Sequence, residues 1–181
     1  MRATTLNEAE EAPASYPNVT HWIGDFRVAL PGDPTVSQVV TWQRIEAWIA
    51  TRWTARSVVY IAEGSGEWLP RLSPFTTTTV QLWRNSSWAT VTLDPTPLGG
   101  LQLPTGDTYR ITGIAGDDSP HPEAVLEAWR RLHEFQHAAA FSKWNETAFV
   151  GGDEGITRAW AAKEMHLSGA ADLLRPWRNM R

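Results

Sequence analysis

The residues that could do chemistry in this chain lie close together, in the segment His133-Glu134-Phe135-Gln136-His137. The segment matches H-E-x-x-H, in which two histidines one helical turn apart bind zinc and the glutamate acts as a general base on the bound water. The surrounding pattern predicts a helix, so both imidazoles would lie on one helical face. A small zinc-dependent hydrolase is therefore one candidate function.

A catalytic zinc site needs a third protein ligand. Ala140 and Lys143 stand where the metzincin continuation requires glycine and histidine. Glu164, on a predicted later helix, is the remaining candidate ligand. We prefer the alternative, in which His133 and His137 are amphipathic positions at a helix–helix or subunit contact. We accordingly expect no catalytic residue, no bound metal and no cofactor, and we keep the hydrolase as the second hypothesis.

The last twelve residues, Ala170 to Arg181, are typical of a partner-binding segment. They contain three arginines, one acid, a tryptophan and a proline. Two turns of helix bury too little apolar surface to be stable alone, so Leu173, Leu174 and Trp177 would face water unless they dock. Composition does not decide whether they dock on their own domain or on a partner.

Composition narrows the class of protein. The chain has 181 residues, which predicts one domain, and it has no cysteine, which excludes disulfides and thiolate chemistry. No stretch approaches the roughly 20 apolar residues that cross a membrane, and the first residues lack the apolar run of a signal peptide. We expect a soluble protein made in a cytoplasm.

Charge and aromatic content both favour protein–protein contacts. The net charge is −4, but residues 1–34 hold two arginines against five acids, whereas residues 156–181 hold five basic residues against two acids. This asymmetry favours head-to-tail contacts over general nucleic-acid binding. The chain also has 11 tryptophans, and tryptophan and arginine are the residues most enriched in interface hot spots. A free-standing tryptophan-rich binding module is a third hypothesis.

Periodicity predicts helices on either side of a group of strands. A helix should follow the turn Pro31-Gly-Asp-Pro34 and run to about Trp53. Alternating β-formers predict strands at residues 57–62, 76–83, 88–93 and 108–115. Residues 84–87 predict a hairpin turn between two of these strands. A long helix should follow Ser119-Pro-His-Pro122 and reach about Phe149, and another should span about 153–167.

These elements predict an α+β fold: mainly a helical bundle, with a small inserted antiparallel β-sheet at about 57–115 and an extended C-terminal tail. Residues 1–17 should be a flexible acidic arm. Residues 18–167 should form a single domain, and residues 168–181 the docking tail.

The order of several short motifs resembles the head–tail connector (adaptor) proteins of tailed bacteriophages and of phage-like gene transfer agents. The likeness spans about residues 18–181 and is carried, in chain order, by Val19-Thr20, Phe26-Arg-Val28, Tyr109-Arg-Ile-Thr-Gly-Ile-Ala-Gly116, Trp144-Asn-Glu146 and Ala171-Asp-Leu-Leu-Arg-Pro-Trp-Arg178. The chain departs from the family pattern in its many tryptophans, in His133 to His137, and in Ile114-Ala-Gly-Asp117, where an aromatic–glycine pair is usual.

The resemblance implies a structural role in virion assembly, in a phage or gene transfer agent particle. Such adaptors form a ring, commonly a dodecamer, beneath the portal; the stopper and tail attach on the other side, and DNA passes through the lumen during ejection. The expected partners are the portal protein, a stopper or other tail-proximal protein, and neighbouring copies of the chain, with no membrane. The residues implied in portal binding are Leu173, Leu174, Arg175, Pro176, Trp177, Arg178 and Arg181.

Overall fold

The structure, a computed structural model, describes residues 3–19, 36–104, 106–147 and 163–178, and of residues 139–147 it describes the backbone alone. These residues belong to two compact units. The sheet unit comprises residues 3–15 and 50–120. The helical unit comprises residues 16–19, 36–49, 121–147 and 163–178. The predicted single domain at 18–167 is thus divided between two units.

The sheet unit is built on a five-stranded antiparallel sheet with the strand order β1-β2-β7-β4-β5. A second sheet pairs β3 with β6. The strands are β1 (Thr4–Glu10), β2 (Arg56–Glu63), β3 (Gly66–Trp68), β4 (Phe75–Arg84), β5 (Ser87–Thr90), β6 (Leu101–Leu103) and β7 (Thr108–Ala115).

Alternation along the central strands gives the sheet unit its own core. In β2, Val58, Tyr60 and Ala62 are fully buried while their neighbours are partly exposed, as expected for a half-buried strand. The Tyr60 ring packs edge-on against Trp68 at 5.2 Å between centroids, and its hydroxyl accepts the Leu72 N–H at 3.2 Å. Burial raises the pKa of Tyr60 to about 12, so this phenol stays neutral at physiological pH.

The hairpin predicted at 84–87 is confirmed. Asn85 and Ser86 have φ angles of 51° and 60°, the positive values of a type I′ turn that matches the twist of the flanking strands. On either side of the turn, Trp83 and Trp88 pair across the strands with their rings 5.0 Å apart. The Arg110 guanidinium lies 4.7 Å from the Trp88 ring. These two tryptophans therefore stabilise the hairpin.

The centre of the sheet requires a glycine at position 113. A Cβ atom there would lie 2.4 Å from the Thr76 carbonyl oxygen and 2.5 Å from the Phe75 ring. We expect Gly113→Ala to lower the free energy of unfolding by about 1–3 kcal/mol, because backbone would have to move. Gly106→Ala is the matched control, since a Cβ atom at that position would have no other atom within 4 Å. Equal urea midpoints for the two variants would contradict this packing.

The predicted flexible arm contributes a strand instead. Thr4–Glu10 forms edge strand β1, paired antiparallel with β2. Glu10 accepts two hydrogen bonds from Arg52, at 2.5 and 3.0 Å, and one from Arg56 at 3.1 Å. Burial alone would raise the pKa of Glu10, but the Arg52 hydrogen bond and the charges of Arg52, Arg56 and Arg71 hold it below its ordinary value. These ion pairs join β1 to the sheet.

The helical unit contains α1 (Gln38–Trp48), α2 (Glu123–Thr147), a helical stretch at 163–167, α3 (Ala170–Leu174) and a 3₁₀ turn at Arg175–Trp177. Helix α2 begins after Pro122, whose carbonyl accepts the N–H groups of Val125 and Leu126. Trp42 of α1 and Trp129 of α2 are almost completely buried, with ring centroids 6.0 Å apart. Within the described part of the chain, no helix is long and apolar enough to cross a membrane.

The predicted fold, mainly a helical bundle with a small inserted sheet and an extended tail, is wrong. The five-stranded antiparallel sheet is a principal element with a separate core, and the helices are grouped in the other unit. The acidic N-terminal residues lack a strong β pattern, so the sequence did not predict strand β1 or its pairing with β2. The sheet was therefore expected to be smaller than it is. The tail is helical, not extended, over 170–177.

Candidate functional site

The C-terminal segment, defined as residues 170–178, folds back onto the helical unit. Gly169 has a φ of +73°, a left-handed conformation that glycine adopts without strain and that redirects the chain between two helices. Helix α3 then packs against α2. Ala170 and Leu174 are fully buried and Ala171 nearly so. The segment is thus anchored by three apolar side chains on one face of α3.

The structure separates the predicted portal-binding residues into two groups. Leu174 is buried within its own unit, so in this structure it serves as an anchor and not as an exposed contact. Arg175, Pro176 and Arg178 are exposed, and Leu173 and Trp177 are half-buried. Arg181 lies outside the described residues. The side chains available to a partner are therefore Arg175 and Pro176 of the 3₁₀ turn and Arg178 directly after it.

Trp48, the last residue of α1, contacts the end of this segment. The Arg178 guanidinium lies 4.4 Å from the Trp48 ring, within the range of a cation–π interaction. The Trp48 and His166 rings are nearly perpendicular, with their centroids 5.1 Å apart. Arg178 is consequently oriented by Trp48 although it remains exposed to solvent.

A second group of polar residues, the polar cluster (Thr41, Arg44, His133, Gln136 and Glu164), belongs to the helical unit; all of its members except Arg44 are buried. Thr41 Oγ1 is 2.9 Å from His133 Nδ1 and 2.8 Å from Gln136 Oε1. If the hydroxyl donates its one proton to the amide oxygen, His133 must donate from Nδ1. Gln136 Nε2 then donates to Glu164 at 3.1 Å, and Arg44 pairs with the same carboxylate oxygen.

This arrangement gives His133 and Glu164 structural partners. The His133 ring also stacks on Trp129 at 4.4 Å and meets His137 edge-on at 4.7 Å. Glu134, the residue that would act as general base, is exposed, whereas His133 is buried. Among the residues that the structure describes, no group of three or more potential ligands could hold a metal ion. The hydrogen bonds and the ion pair of the polar cluster give the buried His133 and Glu164 side chains partners within the helical unit.

Thr41 is the centre of this cluster, and its removal gives a direct test. We expect Thr41→Val to lower the free energy of unfolding by about 1–3 kcal/mol, because it removes the hydroxyl that is hydrogen-bonded to the buried side chains of His133 and Gln136. Thr41→Ser, which keeps the hydroxyl, should restore most of this loss. Thermal unfolding of the three proteins measures the effect, and equal stability of the valine and serine variants would contradict the assigned role.

The roles of Trp48 and Thr41 were not predicted from the sequence. No sequence-based prediction assigned a role to Trp48, and its position one turn beyond Arg44 gives no sign of the distant Arg178. No local sequence pattern indicates the role of Thr41, because its partners lie more than ninety positions later in the chain. Only Glu164 was identified in advance as a residue that could approach the His133 helix.

Comparison with known proteins identifies no relative of the chain. No protein-family model, curated protein or solved structure matches it.

Proposed function

We propose that this protein is a head–tail connector adaptor: a structural subunit that binds the portal protein through its C-terminal segment. The single observation that carries the proposal is the exposure of Arg175, Pro176 and Arg178 directly after helix α3, whose Ala170, Ala171 and Leu174 side chains are buried. The motif that underlies the resemblance, Leu-Leu-Arg-Pro-Trp-Arg, coincides with this anchored turn. The role requires no catalysis and no cofactor.

The chemistry of the exposed turn suits an acidic or carbonyl-rich surface. Arg175 and Arg178 carry guanidinium groups, which form forked hydrogen bonds with carboxylates and are favoured at interfaces. Trp177 lies between them and is half-buried, and arginine and tryptophan together are typical of interface hot spots. A portal surface with carboxylates around an apolar depression is the partner that this segment fits.

Anchoring reduces the cost of binding. A segment that is disordered when free must be ordered on docking, which weakens affinity. Here Ala170, Ala171 and Leu174 are already packed, so the turn at 175–177 is held near one conformation. The tail was expected to be extended and to become ordered only on the portal, whereas residues 170–177 are already helical.

The other expected partners follow from the same proposal. Neighbouring copies would complete a ring, a stopper or other tail-proximal protein would bind the opposite side, and DNA would pass through the lumen. The net charge of −4 is consistent with a conduit, since a strongly basic lumen would bind DNA phosphates tightly. The site of action would be the head–tail interface of a phage or gene transfer agent particle.

The proposal is tested by reversing the charge of Arg175, which leaves the buried side chains of Ala170, Ala171 and Leu174 in place. We expect Arg175→Glu to weaken binding to the portal protein from the same gene neighbourhood by about tenfold or more, the loss that follows from about 1.5–3 kcal/mol per charge-assisted hydrogen bond. Lys163→Glu is the matched control, because Lys163 is also exposed in the helical unit and the change in charge is the same.

This comparison is sharper than truncation after Gly169. Truncation also removes the buried Ala170, Ala171 and Leu174, so loss of binding could reflect damage to the helical unit. Equal affinity of the Arg175→Glu and Lys163→Glu variants, measured by titration, would argue against the proposed docking residues. Absence of binding by the unmodified chain would argue against the adaptor function itself.

The alternative hydrolase receives no support from a specific contact. Its two histidines, His133 and His137, and the candidate ligand Glu164 lie in the helical unit, but Glu164 is hydrogen-bonded to Gln136 and paired with Arg44. Zinc analysis of protein purified without added metal tests this alternative, and stoichiometric zinc that is lost in His137→Ala would revive it.

A further inference from the structure

Four side chains form a platform on the outer face of the five-stranded sheet, the side opposite its core. Arg110 of β7 and Gln81 of β4 lie directly opposite each other. Each stands between two buried residues of its strand, so both side chains point away from the core. Trp83 and Trp88 continue this face toward the hairpin. We call these four residues the tryptophan–arginine platform.

The Arg110 guanidinium is held in one orientation. Its Nε donates to Gln81 Oε1 at 2.7 Å, and its Nη2 donates to the same oxygen. Its Cζ lies 4.7 Å from the centroid of the Trp88 ring, within the range of a cation–π interaction. Because the guanidinium is a planar fork of five donors, Gln81 uses one edge of the fork and leaves the Nη1 edge open.

The charge of Arg110 is not neutralised by a neighbouring acid. The other arginines described in the sheet unit, Arg52, Arg56, Arg71 and Arg84, each pair with a carboxylate. Arg110 instead contacts an amide oxygen and an indole ring, and it has no carboxylate partner among the residues that the structure describes. An oriented guanidinium with an open edge suits a carboxylate, which accepts two parallel hydrogen bonds from it.

Trp83 adds an apolar surface beside this charge. Its side chain is 43% exposed, although its ring lies 5.0 Å from that of Trp88 at an interplanar angle of 56°. The contact between the two rings therefore leaves much of Trp83 open to solvent. Exposed tryptophan next to arginine is typical of interface hot spots, and it favours a ligand with an apolar group close to its carboxylate.

The borders of the platform disfavour a polyanion. Glu63 lies two residues beyond Ile61, the residue opposite Arg110, and Asp107, which pairs with Arg84, precedes β7. Single-stranded nucleic acid binds in positively charged grooves and carries a charge at every nucleotide, so it would approach both acids. A single side-chain carboxylate would not. These charges favour a protein segment over nucleic acid.

We propose that the tryptophan–arginine platform binds a segment of a partner protein in which one aspartate or glutamate lies next to an apolar side chain. The carboxylate pairs with the open edge of Arg110, and the apolar side chain packs on Trp83. Gln81 and Trp88 act as positioning residues for the guanidinium. The platform belongs to the sheet unit and the proposed portal-binding residues to the helical unit, so this inference does not rest on the adaptor function.

A pair of short peptides tests the proposal on the full-length chain. The probe is acetyl-Gly-Phe-Glu-Phe-Gly-amide, and the matched peptide has glutamine in place of glutamate. Each is titrated while the indole N–H signals of Trp83 and Trp88 are followed by NMR. We expect both signals to shift saturably at millimolar concentration, with the glutamate peptide binding about tenfold more tightly because its contact is charge-assisted.

Variants locate the charge and the apolar contact. Arg110→Gln should abolish the preference for the glutamate peptide, whereas Arg84→Gln should keep it, because Arg84 is already paired with Asp107. Trp83→Thr should weaken the binding of both peptides. Ile114→Thr is its matched control, because Ile114 is another exposed apolar residue of β7, 39% exposed.

The two peptides keep the test decisive even if a variant fails to fold. Equal affinity of the unmodified chain for both peptides would overturn the proposal, and so would the absence of any saturable shift. Tighter binding of single-stranded decathymidine than of the glutamate peptide would identify a nucleic-acid surface instead and would also overturn it. Equal losses in Arg84→Gln and Arg110→Gln would reject the role of the oriented guanidinium.

Discussion

Replacing Glu10 with glutamine should lower the free energy of unfolding of the sheet unit by about 3 kcal/mol, the lower end of the cost of breaking a buried ion pair. The substitution preserves the size of the side chain but removes its charge. Arg52 and Arg56, whose side chains are almost completely buried, would then lose their interaction with the charged Glu10 carboxylate. Urea unfolding followed by circular dichroism measures the loss.

Glu8→Gln is the matched control on the same strand. Its partner, Arg71, is 56% exposed, and exposed ion pairs contribute about 0–1 kcal/mol. The two variants remove the same charge two residues apart, so a general charge effect would affect both equally. Similar losses for Glu8→Gln and Glu10→Gln would contradict the importance assigned to the buried arginines.

The same carboxylate gives the sheet unit a specific pH dependence. Because the pKa of Glu10 is lower in the folded protein than its ordinary value of 4.5, its charge stabilises the fold fully above that ordinary value. The contribution is lost as the pH falls from 4.5 through the lower folded-state pKa. Unfolding measured at neutral pH and at acid pH should therefore show that wild-type protein loses more stability on acidification than Glu10→Gln does.

Leu174→Ala should have the second large effect, on the C-terminal segment. Truncating a fully buried leucine costs about 2–5 kcal/mol when the surroundings cannot collapse, and Leu174 is completely buried. Because α3 has only five residues, we expect the loss to appear as local opening of residues 170–177. Amide hydrogen exchange in this segment should become faster by about tenfold or more, since each 1.4 kcal/mol changes an equilibrium tenfold.

Leu173→Ala is the control for this prediction, because Leu173 is half-buried and adjacent. It should change exchange in the segment much less than Leu174→Ala. If Leu174 also orients the turn that we propose binds the portal, Leu174→Ala should weaken portal binding through the added cost of ordering the segment. Unchanged exchange at 170–177 would show that Leu174 does not anchor it.

Local patterns predicted several elements well. Alternation located β2, β4, β5 and β7, and residues 84–87 predicted the hairpin between β4 and β5. The proline-rich start and apolar stripe located α2. Helix α1 ends at Trp48, earlier than the predicted Trp53, because Ala50 and Arg52 exchange backbone hydrogen bonds with Ser73. That partner lies more than twenty residues away and leaves no local signal.

The larger errors arose from interactions between distant residues. Strand β1 has charged and small residues that are typical of an arm, and its stability depends on arginines at positions 52, 56 and 71. The burial of Leu174 depends on packing against α2, which tail composition cannot show. The tryptophan count likewise did not distinguish buried Trp42, Trp53, Trp68 and Trp129 from Trp83, which is 43% exposed.

Portal binding by the C-terminal segment is tested most directly by hydrogen exchange of the full-length chain, alone and bound to the portal protein from its own gene neighbourhood. We expect a complex with several copies of the chain, in which amides at 173–178 become protected. Formation of no complex, or of a complex that protects other residues and leaves 173–178 unchanged, would contradict it.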